Sequence, residues 1–292
     1  MYFLCLLVLV YLGGGAKGAA HIGVLQALEE EGITIDYISG CSSGSIVAAL
    51  YAIGYTPMNI LYMFKTYCKN VTEYDKLVPF KIIGLAFTGK LNLKGIVKGD
   101  NLENIIKKYC IKKDVSDISE VKMPLAIPTV DIETGEVVYY LSKTLHRLGK
   151  IDDIPTYNYT GNLASIVRAS SGFPGVFEPK YLDGKHLVDG GVRVSCPTEI
   201  LKQMGATKVL AVSFDDCKDS TLSNMNIVSV AMKTFDIMGN EANKEQMNLA
   251  DYTINPKIDN VSLLDFSKLN YSANIGYKAT KDNIKKIKEM LK

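Results

Sequence analysis

The sequence has almost no excess of either charge: 33 Lys and Arg residues stand against 31 Asp and Glu residues, a formal net charge of +2. A balance this close gives no electrostatic basis for a nucleic-acid partner, so none is expected. Cysteine is sparse, and its six residues are scattered without close pairs. This spacing excludes a disulfide framework and a zinc site and is typical of reduced thiols in a cytoplasmic protein.

Long apolar runs are also missing. The apolar residues 1–12 fall short of the roughly 20 that span a bilayer. They also lack the basic start and the small-residue cleavage site of a signal peptide, so we expect a buried parallel strand that leads into the glycines beyond. No internal repeat or low-complexity segment is visible, and the length predicts one domain, 1–292, with a large core.

Two glycine-bracketed motifs stand out near the N-terminus. A glycine run at the end of a strand exposes backbone N–H groups that can hold a developing oxyanion, and this is the role we predict for the first motif. Glycines on both sides of a serine let the chain turn sharply and present the hydroxyl, and this is the role we predict for the second. The motifs are Gly13-Gly14-Gly15-Ala16-Lys17-Gly18 and Gly40-Cys41-Ser42-Ser43-Gly44.

The surroundings of Ser42 favour a nucleophile elbow. The β-branched and aromatic run at residues 33–38 predicts a buried strand, and the run at residues 45–52 predicts a tightly packed helix. Strand, elbow and helix in this order are the context that a Gly-x-Ser-x-Gly nucleophile requires. A lone Gly-x-Ser-x-Gly would carry little weight, because the pattern occurs by chance in many loops.

The order of predicted elements indicates an α/β fold with three α/β/α layers around a mostly parallel central sheet. A helix at residues 19–31, with Gly32 as its cap, follows the first motif and gives a β-α-β-α start. We expect a helical cap or lid region at about 56–110 and a polar surface insertion at about 142–160. A lysine-rich last helix at residues 278–292 is expected to dock its apolar stripe of Ile284, Ile287 and Leu291 on the core, and binding to an anionic surface is the alternative.

A serine nucleophile needs a base, and the three histidines are poorly placed for that role. His21, His146 and His186 do not lie in a loop after a late sheet strand, where a Ser-Asp-His hydrolase keeps its histidine, so we expect structural roles. Asp189 ends a predicted strand and is followed by Gly190 and Gly191. A buried carboxylate there can take the hydroxyl proton directly and later activate water, although Asp-Gly-Gly by itself is only a turn signal.

In combination, these motifs resemble the patatin-like phospholipase family of serine lipid acyl hydrolases, of the type found in bacteria. The resemblance covers nearly the whole chain and rests on the pieces at residues 13–25, 40–44, 167–177 and 188–191. It implies a patatin-like fold, a Ser42–Asp189 catalytic dyad and an oxyanion hole in the first glycine motif. It also implies an acyl-ester or lipid substrate and neither a metal nor an organic cofactor. Cys41 and Ser43 stand where the family often has threonine and alanine.

Two other functions remain open from the residues alone. The spacing of Gly13, Gly15 and Gly18 also fits a dinucleotide-binding loop, with Asp36 as the acid that would meet a ribose. A non-catalytic lipid-binding or regulatory protein could keep the same fold. A membrane surface is a further expected contact, because residues 65–108 carry nine lysines and four acids among several aromatics.

Overall fold

The computed structural model describes residues 4–8, 14–74, 98–146, 155–214, 230, 234, 237–239, 244–259, 261 and 266–292. These residues form a nine-stranded, mostly parallel sheet in which seven strands follow the order β5-β4-β3-β2-β1-β8-β9. Strand β7 pairs with both β3 and β6. The strands are β1 (Leu4–Val8), β2 (Tyr37–Gly40), β3 (Leu125–Asp131), β4 (Val137–Leu141), β5 (Thr156–Asn158), β6 (Lys180–Leu182), β7 (Lys185–Asp189), β8 (Lys208–Val212) and β9 (Tyr252–Ile254).

Helices cover both faces of the sheet. They are α1 (Gly14–Lys17), α2 (Ala19–Glu30), α3 (Ser43–Ala52), α4 (Pro57–Tyr74), α5 (Asp100–Ile111), α6 (Leu163–Ser170), α7 (Thr198–Met204), α8 (Lys244–Asn248) and α9 (Leu269–Met290). The predicted helix after the first glycine motif is confirmed, and Gly32 follows its last turn with a φ of +69°. Asp183 and Gly184 also turn with positive φ between β6 and β7, as an Asp-Gly hairpin requires.

Two apolar clusters lie on opposite faces of the sheet. Alternate residues of a strand point to opposite faces, and β3 sends Leu125 and Ile127 into the larger cluster but Ala126 into the smaller one. The larger cluster joins the sheet to α2–α6 and α9, whereas the smaller one joins it to α7 and α8. The predicted three-layer α/β/α architecture is therefore confirmed.

The last helix is longer than predicted and packs closely against α2. It begins at Leu269 rather than near residue 278. A Cβ atom on Gly23 would lie 1.8 Å from the carbonyl oxygen of Ala273, and one on Gly276 would lie 2.0 Å from that of Ala20. Because these glycines let the two backbones touch, α9 is docked on the core, as expected, with Ile287 fully buried.

The cap and insertion predictions fall partly outside the described residues. In the cap region, α4 and α5 place Ile60, Leu102 and Ile106 in the larger cluster, and residues 75–97 are not described. In the insertion, β5 forms the edge of the sheet beside β4, and residues 147–154 are not described. A lid role for the first region and an insertion in the second stay predictions.

Candidate active site

Ser42 occupies a strained turn between β2 and α3. Its φ of 55° and ψ of −132° lie in a region that residues other than glycine rarely adopt. A Cβ atom on Gly40 would lie 2.2 Å from the carbonyl oxygen of Gly44, so the two glycines let the chain close on itself. The side chain of Ser42 is only partly buried. The local geometry therefore exposes a serine hydroxyl at the carboxyl end of a parallel strand, as a nucleophile elbow does.

One edge of β3 brings Ser42 and Asp189 together. Near its start, β3 pairs with β2 through Ser39 and Ala126, and near its end it pairs with the antiparallel strand β7 through Thr129 and Asp189. The two strands share this edge because β4 occupies the other one. Strand β2 must therefore leave the sheet where β7 ends, and the elbow that follows β2 meets the carboxyl end of β7.

The carboxyl group of Asp189 is fully buried and only partly satisfied. Its Oδ1 atom accepts a 2.8 Å hydrogen bond from the backbone N–H of Gly191 and a 3.5 Å hydrogen bond from Sγ of Cys41. Its Oδ2 atom has no partner of ordinary hydrogen-bond geometry among the described residues. One oxygen is therefore held in place while the other keeps lone pairs that can accept a proton.

Burial raises the pKa of Asp189 to about 6, and the hydroxyl of Ser42, the N–H of Gly191 and the thiol of Cys41 all oppose that rise. The Ser42 contact is therefore close enough to influence the carboxyl group, although it is longer or less aligned than a good hydrogen bond. Contacts of this kind are common in unliganded enzymes and tighten in the substrate complex. A carboxylate with a raised pKa is a better proton acceptor near neutral pH than an ordinary one.

Glycine is required directly after Asp189. A Cβ atom on Gly190 would lie 2.5 Å from the carbonyl oxygen of Pro128 and 3.0 Å from Sγ of Cys41. A side chain there would push the strand end away from β3 and from the elbow. The Asp-Gly-Gly motif is therefore more than a surface turn in this fold, since the glycine permits the close approach that buries Asp189.

The first glycine motif begins a helix instead of forming an open loop throughout. Helix α1 starts at Gly14, and Gly18 separates it from α2. Val8 pairs with Gly40 at the ends of the parallel strands β1 and β2, so the chain leaves both strands on the same side of the sheet, where their carboxyl ends lie. The first N–H groups of a helix have no partner within it and can meet an anion. Gly13 lies outside the described residues, and the oxyanion hole stays a prediction.

The histidines lie in other environments. His21 is fully buried 4.9 Å from the ring of Phe214, and burial lowers its pKa to about 3. The backbone N–H of His146 donates to the carbonyl oxygen of Gln203. His186 pairs through Nδ1 with Oε1 of Glu133 at 2.5 Å. Across the described residues, no hydrogen bond joins a histidine to Ser42 or Asp189.

The arrangement disfavours a dinucleotide site. Asp36 directly precedes β2, whereas Ser42 follows it. The acid therefore lies at the amino end of β2, and the glycine motif lies beyond the carboxyl ends of the strands. A dinucleotide fold needs that acid at the carboxyl end of the second strand. Within the described ranges, no group of three or more His, Cys, Asp or Glu residues could hold a metal ion. None of the helices described there is long and apolar enough to cross a membrane.

Sequence reasoning missed the polar side chains that support the elbow. The hydroxyls of Ser45 and Ser171 both donate to the carbonyl oxygen of Ser42, at 2.6 Å and 2.9 Å. The thiol of Cys41 was likewise not expected to contact Asp189. The segment that contains Ser171 was noted for its family resemblance, but its spacing along the chain gives no sign of what it touches.

Comparisons with known proteins show which sequences this chain is similar to. Patatin-like phospholipase domain-containing protein 6 from Homo sapiens is 30% identical over 219 residues, which cover 74% of this chain and 14% of that protein. Lysophospholipase NTE1 from Lodderomyces elongisporus is 27% identical over 305 residues, which cover 92% of this chain and 18% of that protein. The chain thus spans less than a fifth of the length of these two relatives.

Among solved structures, VipD from Legionella pneumophila aligns over 99% of this chain and 66% of its own, with a TM-score of 0.48 and 15% identity. The patatin-like phospholipase family model matches residues 9–202, a stretch that holds both glycine motifs and Asp189. Because that match covers more than half of the sequence, this chain belongs to the patatin-like phospholipase family.

Proposed function

We propose that this chain is a serine lipid acyl hydrolase, a carboxylic ester hydrolase of the phospholipase A type, in which Ser42 and Asp189 form a catalytic dyad. The observation that carries the proposal is the meeting of the strained Ser42 elbow with a buried carboxyl group whose Oδ2 atom has no partner of ordinary hydrogen-bond geometry among the described residues. Family membership and a relative named as a lysophospholipase support a lipid ester as the substrate.

The first half of the reaction acylates the serine. Oγ of Ser42 attacks the ester carbonyl carbon while its proton passes to the carboxylate of Asp189. Backbone N–H groups around Gly14 and Gly15 stabilise the oxyanion that forms. The bond to the leaving oxygen then breaks, and Asp189 returns the proton to that oxygen, so the alcohol or lysolipid leaves as a neutral molecule.

The second half releases the fatty acid. A water molecule gives a proton to Asp189 and attacks the acyl carbonyl. The bond between the acyl carbon and Oγ of Ser42 breaks, and the proton on Asp189 returns to Oγ. No histidine and no metal ion is needed in this cycle, because one carboxylate serves both halves.

A lipid-class hydrolysis screen combined with fluorophosphonate labelling tests the proposal, because only an activated serine reacts with the reagent. The wild type should release fatty acid and take up one label on Ser42. Ser42→Ala and Asp189→Asn should each lose turnover while they remain folded by circular dichroism. The double variant should lose little more than either single one, since the two groups act as a unit.

The outcomes separate the alternatives. A folded wild type that binds lipid vesicles but neither hydrolyses lipid nor labels would indicate a non-catalytic lipid-binding or regulatory protein. Near-wild-type turnover in Asp189→Asn would remove Asp189 as the base. A rise in melting temperature on addition of NAD, with no labelling or hydrolysis, would support the dinucleotide-binding alternative.

A further inference from the structure

The carbonyl group of Ser42 is the most heavily anchored group of the elbow. Its oxygen accepts the backbone N–H of Ser45 at 2.9 Å, the hydroxyl of Ser45 at 2.6 Å and the hydroxyl of Ser171 at 2.9 Å. The two hydroxyl oxygens lie 3.2 Å apart, and both side chains are buried. Three donors therefore converge on one carbonyl oxygen from two different helical segments.

These donors act on the torsion that makes the elbow unusual. The direction of a residue's carbonyl group depends on its ψ angle, and Ser42 has a ψ of −132° with a φ of 55°. A backbone in such a region is strained and persists only where surrounding contacts hold it. Hydroxyls that hold the Ser42 carbonyl in place therefore also hold the position from which Oγ projects.

The same short segment also holds the base. Ser171 donates to Ser42, and the next residue, Gly172, accepts a 3.1 Å hydrogen bond from the backbone N–H of Asp189. A Cβ atom on Gly172 would lie 2.9 Å from the carbonyl oxygen of Ala169, so a larger residue would disturb this turn. Two consecutive residues after α6 thus connect the nucleophile strand to the base strand, independently of the pairing through β3.

We infer that Ser171 is a positioning residue that, with Ser45, fixes the separation between Ser42 and Asp189. This inference rests on the proposed function, because the separation matters only if Ser42 transfers its proton to Asp189. Removal of the Ser171 hydroxyl lets the Ser42 carbonyl rotate and carries Oγ out of line with the carboxylate. A displacement of about 1 Å at a reacting group can cost roughly 10²-fold in rate without weakening substrate binding.

The test compares Ser171→Ala with a matched deletion elsewhere. Ser142 is buried to a similar extent, 7% exposed against 9% for Ser171. Its hydroxyl bonds to the backbone of Met123 and Leu125 at the start of β3, away from the elbow. Ser142→Ala therefore removes an equally well-bonded buried hydroxyl. Both variants are assayed for kcat, KM, the rate of fluorophosphonate labelling and the free energy of unfolding.

We expect kcat and the labelling rate of Ser171→Ala to fall about 10- to 100-fold with KM within about twofold. Ser142→Ala should lose a similar amount of stability but keep its kcat and labelling rate. Ser45→Ala should repeat the kcat loss, and Ser171→Thr, which keeps a hydroxyl, should recover more activity than Ser171→Ala. These two variants also keep the test decisive should Ser171→Ala fail to fold.

Two results would overturn the inference. If the wild type labels at Ser42 and Ser171→Ala labels at the same rate as Ser142→Ala, the positioning role is wrong and the proposed function stands. If the wild type neither labels nor hydrolyses esters, the proposed function fails and the inference falls with it.

Discussion

The thiol of Cys41 donates to Oδ1 of Asp189 over 3.5 Å, so the residue before Ser42, the proposed nucleophile, touches Asp189, the proposed base. Burial, followed by the nearby Asp189 charge, raises the pKa of Cys41 well above its usual range, and the thiol therefore keeps the proton that it donates. A hydrogen bond to a carboxylate favours the charged form and lowers its pKa. Cys41 thus opposes the effect of burial on Asp189.

This contact predicts a pH dependence. The base must be ionised, so kcat/KM of the wild type should rise about tenfold per pH unit at low pH and level off above about pH 6, the pKa of Asp189. Cys41→Ala removes a donor and should move the midpoint to higher pH, whereas Cys41→Ser should stay closer to the wild type. Rates measured from pH 4.5 to 8.5 check this. Identical midpoints in the wild type and Cys41→Ala would contradict it.

The carboxyl group of Asp189 should also lower the free energy of unfolding of the protein at neutral pH. An unfolded aspartate ionises near pH 3.9, but Asp189 in the folded chain ionises near pH 6. Between these values the folded state binds more protons, so wild-type stability falls as pH rises through this window. The amide of Asp189→Asn does not ionise, so the variant buries no charge at neutral pH. It should be more stable than the wild type at pH 7.5, by up to about 3 kcal/mol.

Urea unfolding of both proteins at pH 4 and pH 7.5 measures that difference. The advantage of Asp189→Asn should be small at pH 4 and fully developed at pH 7.5. An advantage that is equal at the two pH values would show that the pKa of Asp189 is not raised. The comparison needs no substrate, so it is independent of the activity assays.

A substitution in the first glycine motif should lower turnover without weakening substrate binding. A side chain at Gly15, in the first turn of α1, should displace the N–H donors of the proposed oxyanion hole. Removal of one such donor typically costs about 10²–10³-fold in turnover. We expect Gly15→Ala to lower kcat by about that factor with little change in KM. Gly32→Ala, after the end of α2, is the control, because its Cβ would meet no atom within 4 Å.

Gly32→Ala should lose some stability, because its φ of +69° suits glycine, but its kcat should be unchanged. A rise in KM at constant kcat in Gly15→Ala would indicate a substrate-binding loop instead of an oxyanion hole. Steady-state kinetics on one soluble ester are sufficient for the comparison.

Substitution of the histidines should leave catalysis largely intact. His186 is partly exposed and pairs with Glu133, and His21 is buried without a hydrogen-bond partner for its ring among the described residues. We expect His21→Gln, His146→Gln and His186→Gln each to keep at least about half of the wild-type kcat in folded protein. A folded His186→Gln variant as inactive as Ser42→Ala would replace the dyad by a triad.

Contact with a membrane surface predicts that salt affects the binding of the protein to vesicles but not its hydrolysis of a soluble ester. Met58 and Tyr62 on α4 are 58% and 69% exposed, and Lys107 and Lys108 on α5 are exposed as well. Each lysine near an anionic surface contributes about 1 kcal/mol, and salt at 0.1 M screens this attraction beyond about 10 Å. Binding to anionic vesicles should weaken as salt rises, while hydrolysis of a short soluble ester should hardly change.

Vesicle sedimentation with charge-reversal variants locates that contact. Lys107→Glu with Lys108→Glu should weaken binding several-fold, whereas Lys285→Glu with Lys286→Glu, on the exposed face of α9, should not. Equal binding to neutral and anionic vesicles at every salt concentration would leave the surface of α5 without a membrane role.

Several features could be predicted from the sequence because they depend on near neighbours in the chain. The glycines around Ser42 specify a tight turn, and the alternation of elements specifies a layered α/β fold. Boundaries were less predictable: the β-branched run at 33–38 predicts a strand, yet β2 spans Tyr37–Gly40. Pairing with β1 and β3 decides those limits, since Tyr37 meets Cys5 and Ser39 meets Ala126.

By itself the sequence determined which residue types are available for chemistry: a serine in a glycine-bracketed turn, an aspartate before two glycines and three poorly placed histidines. Only the tertiary structure decided what surrounds them. Ser171 follows Ser42 by 129 residues, and Cys41 precedes Asp189 by 148, so no local pattern records either contact. The shared edge of β3 and the turn after α6 bring these groups together, and burial there raises the pKa of Asp189.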